Sequence, residues 1–174
     1  WYYIPPGDGP KEFMPPNTTA LSCVSWITFS PQEFTIAPFG RQNVGYTVKV
    51  PAQARGGYYA ALFFESMFGK APEAQDEKKI EVGINLAIRI ASLFYVEAEG
   101  TIKRTVEISN LAFKKESASE PLLIQMDLRN AGNVDITAGG SFHFIDKQSI
   151  VVARGEFKDM YTFPGDTVKL TATW

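Results

Sequence analysis

From Ile80 to Ile90 the apolar residues fall at every second position: Ile80, Val82, Ile84, Leu86, Ile88 and Ile90. The alternate set, Glu81, Gly83, Asn85, Ala87, Arg89 and Ala91, is small or polar. A helix needs apolar positions three and four apart to form one face, whereas a strand turns successive side chains to opposite sides of a sheet. The run therefore predicts a strand. It closes in Ser92-Leu93-Phe94-Tyr95-Val96, shortly before a break at Gly100-Thr101.

Gly and Pro punctuate the rest of the chain roughly every dozen residues, the spacing of an all-β sandwich. Trp1 to Ile4 is a short aromatic run. Pro5-Pro6-Gly7-Asp8-Gly9-Pro10 ends it, since that stretch continues neither a helix nor a central strand. After Pro15-Pro16-Asn17, strands are expected over 24–29 and 34–36. Over 43–50, Val44, Tyr46, Val48 and Val50 share one face and Asn43, Gly45, Thr47 and Lys49 the other, a half-buried strand. Gly56-Gly57 turns the chain into Tyr58 to Glu65, an aromatic strand expected to be buried on both sides. Residues 68–79 read as a polar loop, with any helix kept short by Gly69 and Pro72.

A boundary falls near Glu97 to Thr101. Beyond it 102–113 and 122–128 alternate again, and Arg129-Asn130-Ala131-Gly132-Asn133 reads as a tight turn. Strands over 141–146, 150–157 and 167–174 complete the series, the last opened by Phe163-Pro164-Gly165-Asp166. With 174 residues, two consecutive sandwiches of about 80–100 residues fit. The fold class expected is all-β.

Composition removes several function classes. Hydrophobic content of 45% supports a packed core rather than disorder. The 17 basic and 19 acidic residues form no basic run, which argues against a nucleic-acid partner. Asn85 and Arg89 interrupt the most apolar window, so no membrane span is expected. The single cysteine, Cys23, rules out an intrachain disulfide.

A resemblance emerges from three pieces in order. Trp26-Ile27-Thr28-Phe29-Ser30-Pro31 with Phe34-Thr35-Ile36-Ala37-Pro38 matches an apolar-x-apolar-x-Pro-x-x-Phe-x-Leu-x-Pro segment. Gln42-Asn43-Val44 supplies a Gln-x-Val stretch, and Leu93-Phe94-Tyr95 closes a strand. With Trp1 ending an aromatic strand, residues 1–98 resemble the PapD-like periplasmic pilus chaperones. Those proteins have immunoglobulin-like domains that bind other chains along strand edges and do no chemistry. Residues 101–174, with Asn130-Ala131-Gly132-Asn133 and Pro164-Gly165-Asp166, are similar to generic bacterial immunoglobulin-like modules.

The resemblance implies two immunoglobulin-like domains, residues 1–100 and 101–174, incomplete at both termini, with the first two strands upstream of Trp1. It also locates a partner groove. Counted back from Leu93, the groove positions are Ala87, Asn85 and Gly83, or, with a one-residue bulge, Ile88, Leu86 and Ile84. The chain departs from the family at two places. A family Lys that helps anchor a subunit's terminal carboxylate is here Ser92, and the family's Arg-Pro after Tyr is here Val96-Glu97.

Candidate chemistry is sparse. His143 is the only histidine, and one His with a distant Cys cannot supply the three or four ligands of a zinc site. No Gly-x-Ser-x-Gly elbow presents a nucleophile. Cys23 has no neighbouring positive charge and reads as a small buried hydrophobe. The acids lack the spacing of a calcium hand, which leaves calcium near Glu97, Glu99 and Asp166 as a remote option. Asn17-Thr18-Thr19 fits the glycosylation triplet. Tyr58-Tyr59 and Phe63-Phe64 are read as core, with a sugar-binding platform as the sharper option. No cofactor and no metal are expected.

Residues and resemblance together lead us to expect a non-enzymatic, exported bacterial protein of the periplasm or cell surface. Its expected partner is an extended strand of a pilus-type subunit or a copy of itself, the latter giving a homo-oligomer. Ile84, Leu86, Ile88, Ser92 and Phe94 are the expected partner-strand residues. The alternative is a structural subunit or spacer of a surface fibre.

Overall fold

The computed structural model describes residues 2–3, 12–16, 18–66, 87–115, 117 and 119–174. Eleven strands occur among them: β1 Tyr2–Tyr3, β2 Glu12–Phe13, β3 Ile27–Ser30, β4 Gly45–Val48, β5 Gly56–Glu65 and β6 Arg89–Ala98, then β7 Val106–Lys114, β8 Leu123–Asn130, β9 Ile136–Ile145, β10 Val151–Thr162 and β11 Thr167–Thr173. The protein is all-β, and every pairing between named strands is antiparallel. Among the described residues no helix is long and apolar enough to cross a membrane.

The strands form five small sheets: β1-β2, β3-β4, β5-β6, β11-β8-β7 and β10-β9. In the C-terminal group, β8 and β11 face β9 and β10 across a core of Ile124, Leu128, Phe157, Val168 and Leu170. Alternation produces this core directly. Ile124 and Leu128 of β8 share a face with Val168 and Leu170 of β11, because Val168 stands opposite Leu128 and Leu170 opposite Met126. In the N-terminal group, β3-β4 lies against β5-β6 through Tyr46 and Phe94, whose rings meet edge-on at 5.0 Å.

The aromatic strand over 58–65 is correct in kind, and Gly56 and Gly57 belong to it. Its first half is buried on both faces, as expected, but Phe64 and Glu65 are exposed. Gly56 has a φ of 79°, and a Cβ there would strike the Asn133 carbonyl, so the position requires glycine. Four expectations need correction. Val24 to Trp26 forms a 3-10 turn, and the strand begins only at Ile27. Residues 34–36 form no strand, and flanking Pro31 and Pro38 remove backbone donors that pairing would use. The strand over 43–50 shrinks to Gly45–Val48. Arg129 and Asn130 are the end of β8 rather than a turn.

Asn130 explains that last difference. It is fully buried, and its Nδ2 donates to Val134 O at 2.9 Å and Thr162 O at 3.4 Å. Its Oδ1 accepts from the Gly132 N–H at 3.0 Å. The turn is folded around this amide two residues later than the sequence suggested, so a buried polar group is satisfied by three partners. Residues 68–79, most of the alternating run (80–86) and Asn17 lie outside the described residues.

Candidate functional site

β6 takes in the end of the alternating run, Arg89 and Ile90, and its ladder with β5 has a definite hydrogen-bond register. The Ser66 N–H donates to Ile88 O at 2.9 Å, which makes Ser66 and Ile88 a hydrogen-bonded pair just beyond the strand. Bonded and non-bonded pairs alternate along an antiparallel ladder. Phe64–Ile90, Leu62–Ser92, Ala60–Phe94 and Tyr58–Val96 are therefore bonded pairs, while Phe63–Ala91, Ala61–Leu93 and Tyr59–Tyr95 are not. Independent contacts agree: the Tyr59 N–H donates to Leu21 O at 2.8 Å and its carbonyl accepts from the Cys23 N–H at 3.1 Å, both away from β6. The backbone N–H and C=O groups of Ala91 and Leu93 accordingly turn away from β5. Among the described residues β6 has β5 as its sole neighbour in a sheet.

The expected partner-strand residues can now be placed. Ile84 and Leu86 lie outside the described residues. Ile88 (48% exposed) precedes β6, Ser92 is exposed opposite Leu62, and both share a face with Ile90 (64% exposed) and Phe94. Phe94 is half-buried under Tyr46, so it belongs to the packing between sheets, while Ile88, Ile90 and Ser92 extend past that cover. Phe94 also helps line a cavity of about 50 Å³ with Val24, Ile27, Phe29 and Leu62. That is smaller than the roughly 150 Å³ known to admit a benzene ring. It suits packing rather than a ligand. At the start of β6, Arg89 pairs with Glu65 at 2.8 Å and lies 5.5 Å from the centre of the Phe63 ring.

The other end of β6 reaches the junction with the C-terminal group. Tyr59, 1% exposed, meets Phe163 edge-on at 4.6 Å, and its Oη accepts the Asp135 N–H at 2.7 Å. Tyr161 Oη donates to Asp135 Oδ2 at 2.7 Å. Burial pushes the Tyr59 and Tyr161 hydroxyls well above the ordinary tyrosine range, and Asp135 adds to both shifts. Both stay protonated, as this hydrogen-bond network requires. The Gly57 N–H to Asn133 O bond at 2.7 Å and the Gly56 N–H to Thr101 Oγ1 bond at 2.8 Å lock the same seam. Sequence reasoning missed this cluster, because Tyr59 and Asp135 are 76 positions apart and no motif links them.

The remaining candidates stay dispersed. Among the described residues no three His, Cys, Asp or Glu side chains converge as a metal site would need. Glu97 pairs with Arg104 at 2.6 Å, and Asp166 Oδ2 accepts the Phe163 N–H at 2.9 Å, so two of the three acids considered for calcium have other partners. His143 is exposed on β9 opposite Arg154. Cys23 is buried, and burial pushes its thiol up to about 11, which keeps it protonated and weakly nucleophilic. No family model matches the chain, and no curated protein or solved structure matches it either.

Proposed function

We propose that this is a non-enzymatic binding protein of the pilus-chaperone kind, exported to the bacterial periplasm or cell surface. In this reading it has two immunoglobulin-like domains that divide near Glu97 to Thr101. It captures an extended segment of a pilus-type subunit by adding it as a strand to the outer edge of β6. The observation that supports this most is the one-sided pairing of β6, with the backbone groups of Ala91 and Leu93 turned outward. Such groups are a ready template for another chain, and strand addition draws affinity from them and register from alternating side chains. Ile88, Ile90 and Ser92, exposed beside that edge, would read the register.

Proline separates this reading from a simple surface strand. Leu93→Pro removes an outward N–H that β5 does not use, and edge strands tolerate proline on that side. The variant should stay folded and lose capture of an extended peptide with alternating apolar residues, measured by calorimetry. Ser92→Pro removes an inward N–H and should destabilise the β5-β6 pair itself. Undiminished peptide binding by a folded Leu93→Pro protein would end the proposal.

A further inference from the structure

A second outward feature is the connection between β3 and β4. Ser30 and Gly45 stand opposite each other in the ladder, a geometry that a turn of about two residues can join. The chain instead uses residues 31–44 there, with neither strand nor helix among them. Connections of that length without secondary structure are uncommon in compact domains and are usually functional. Every residue from 32 to 43 is exposed, and none is folded under the rest of the protein. The apex is the Ala37–Gly40 turn, closed by the Gly40 N–H donating to Ala37 O at 2.8 Å. A Cβ on Gly40 would come within 2.9 Å of that carbonyl, so the turn requires glycine there. It also sets Phe39 at φ 63°, the left-handed region that side chains resist. The Phe39 ring is 107% exposed, so no packing inside the protein offsets that strain.

We propose that this loop docks the protein on a phospholipid bilayer, with the Phe39 ring entering the boundary between headgroups and acyl chains beside Phe34 and Ile36. Three observations favour a bilayer over a protein pocket. From Phe34 to Gly40 no residue is ionisable, so the whole apex can leave water without neutralising a charge. Phe34, Ile36 and Phe39 are 39%, 50% and 107% exposed on a projecting segment, and apolar groups carried on a projection are matched by a medium that surrounds them. Charge returns only at the roots of the loop, at Glu33 and Arg41. Among the described residues no ion pair engages Arg41, which leaves its guanidinium for lipid phosphate at headgroup depth. The headgroup layer is wet enough to hydrate the backbone of an irregular loop, which the hydrocarbon centre is not. Glu33 balances Arg41, so apolar insertion rather than attraction to anionic lipid supplies most of the affinity, and the attachment is reversible. A strained residue at an exposed apex fits a contact made outside the molecule. The inference goes beyond strand capture and is independent of it, since Ala91 and Leu93 take no part in the loop.

The test is co-sedimentation of the full chain with vesicles of pure phosphatidylcholine or of equimolar phosphatidylcholine and phosphatidylglycerol. Wild-type protein should bind both, and only a few-fold better to the mixture. Phe39→Gly is the decisive variant, because glycine is at home at positive φ. Its urea midpoint should hold or rise, while loss of the ring should weaken vesicle binding roughly tenfold or more. Phe39→Trp should keep binding and carry an indole at the apex. Lipids brominated on their acyl chains should quench its emission more than they quench the wild-type protein. A loop that fills a protein pocket instead would leave wild type unbound to either vesicle, which overturns the proposal. So would a Phe39→Gly protein that binds like wild type, one whose urea midpoint falls, or a Phe39→Trp protein quenched no more than wild type. Phe39→Gly should still capture peptide along β6, which separates failure here from failure of the β6 reading.

Discussion

Two hairpin-like pairs, β5-β6 and β7-β8, each join a well-buried strand to an open one, and they are open in different ways. β5 is buried through its first half and β8 through most of its core face, while β6 and β7 are largely exposed. β6 has part of its inner face covered by Tyr46, and its open feature, among the described residues, is backbone at an edge. β7 has an open feature of side chains: an apolar inner face left bare by the opposing layer. Hydrogen bonds to one neighbour thus say nothing about whether a strand is covered. Edge pairing and face burial are separate requirements, and each of these strands lacks a different one.

The largest expected effect tests that distinction on one face of one sheet. Leu128→Ala should lower unfolding free energy by about 3 kcal/mol, because it leaves a cavity in a packed core. Ile108→Ala, its cross-strand neighbour, should cost less than about 1 kcal/mol, since much of its surface already meets water. Equal losses in urea titrations of dilute protein would mean that the β7 face is covered in the monomer, and the contrast would fail.

A smaller effect is expected at the junction between the N-terminal and C-terminal groups. Tyr161→Phe removes the hydroxyl that donates to Asp135 and should cost about 1 kcal/mol. A double-mutant cycle with Asp135→Asn should return a coupling above about 0.5 kcal/mol, and strictly additive losses would deny the network a role in joining the groups.

The smallest is a change in pH dependence at Asp166. Burial raises this carboxyl above its ordinary value of 3.8, outweighing the Phe163 N–H bond that favours ionisation. A carboxyl raised in the folded state contributes most to stability below its unfolded value and loses that contribution as pH rises through the folded one. Asp166→Asn keeps an acceptor for Phe163 and should flatten the stability curve just above pH 3.8. An unchanged difference between variant and wild type across that range would exclude the effect.

Much of the β framework was legible in the sequence, and the reasons are local. Tyr58 to Glu65, Leu122 to Leu128 and the strand after Pro164-Gly165-Asp166 announce themselves by period and by turn residues, which act within a few positions of chain. Asn130 misled because its residue type favours turns, while its amide is held inside by Val134 and Thr162. Residues 34–36 misled because they carry strand-like residues but, among the described residues, pair with no neighbouring strand. At the candidate edge, the sequence identified β6 as a strand and picked out Ile88 and Ser92 on one of its faces, but it could not say which backbone groups turn outward.

Sequence alone determined that this chain is built of strands, where most of them break, and that His143 and Cys23 lack the companions for a recognisable ligand set. Only the tertiary structure decided that Tyr59 joins Asp135, that Phe94 lies under Tyr46, and that Ile108 is bare beside a buried Leu128. The physical reason is range. Backbone preference and side-chain period are fixed by adjacent residues, whereas coverage of a face depends on which distant strands arrive over it.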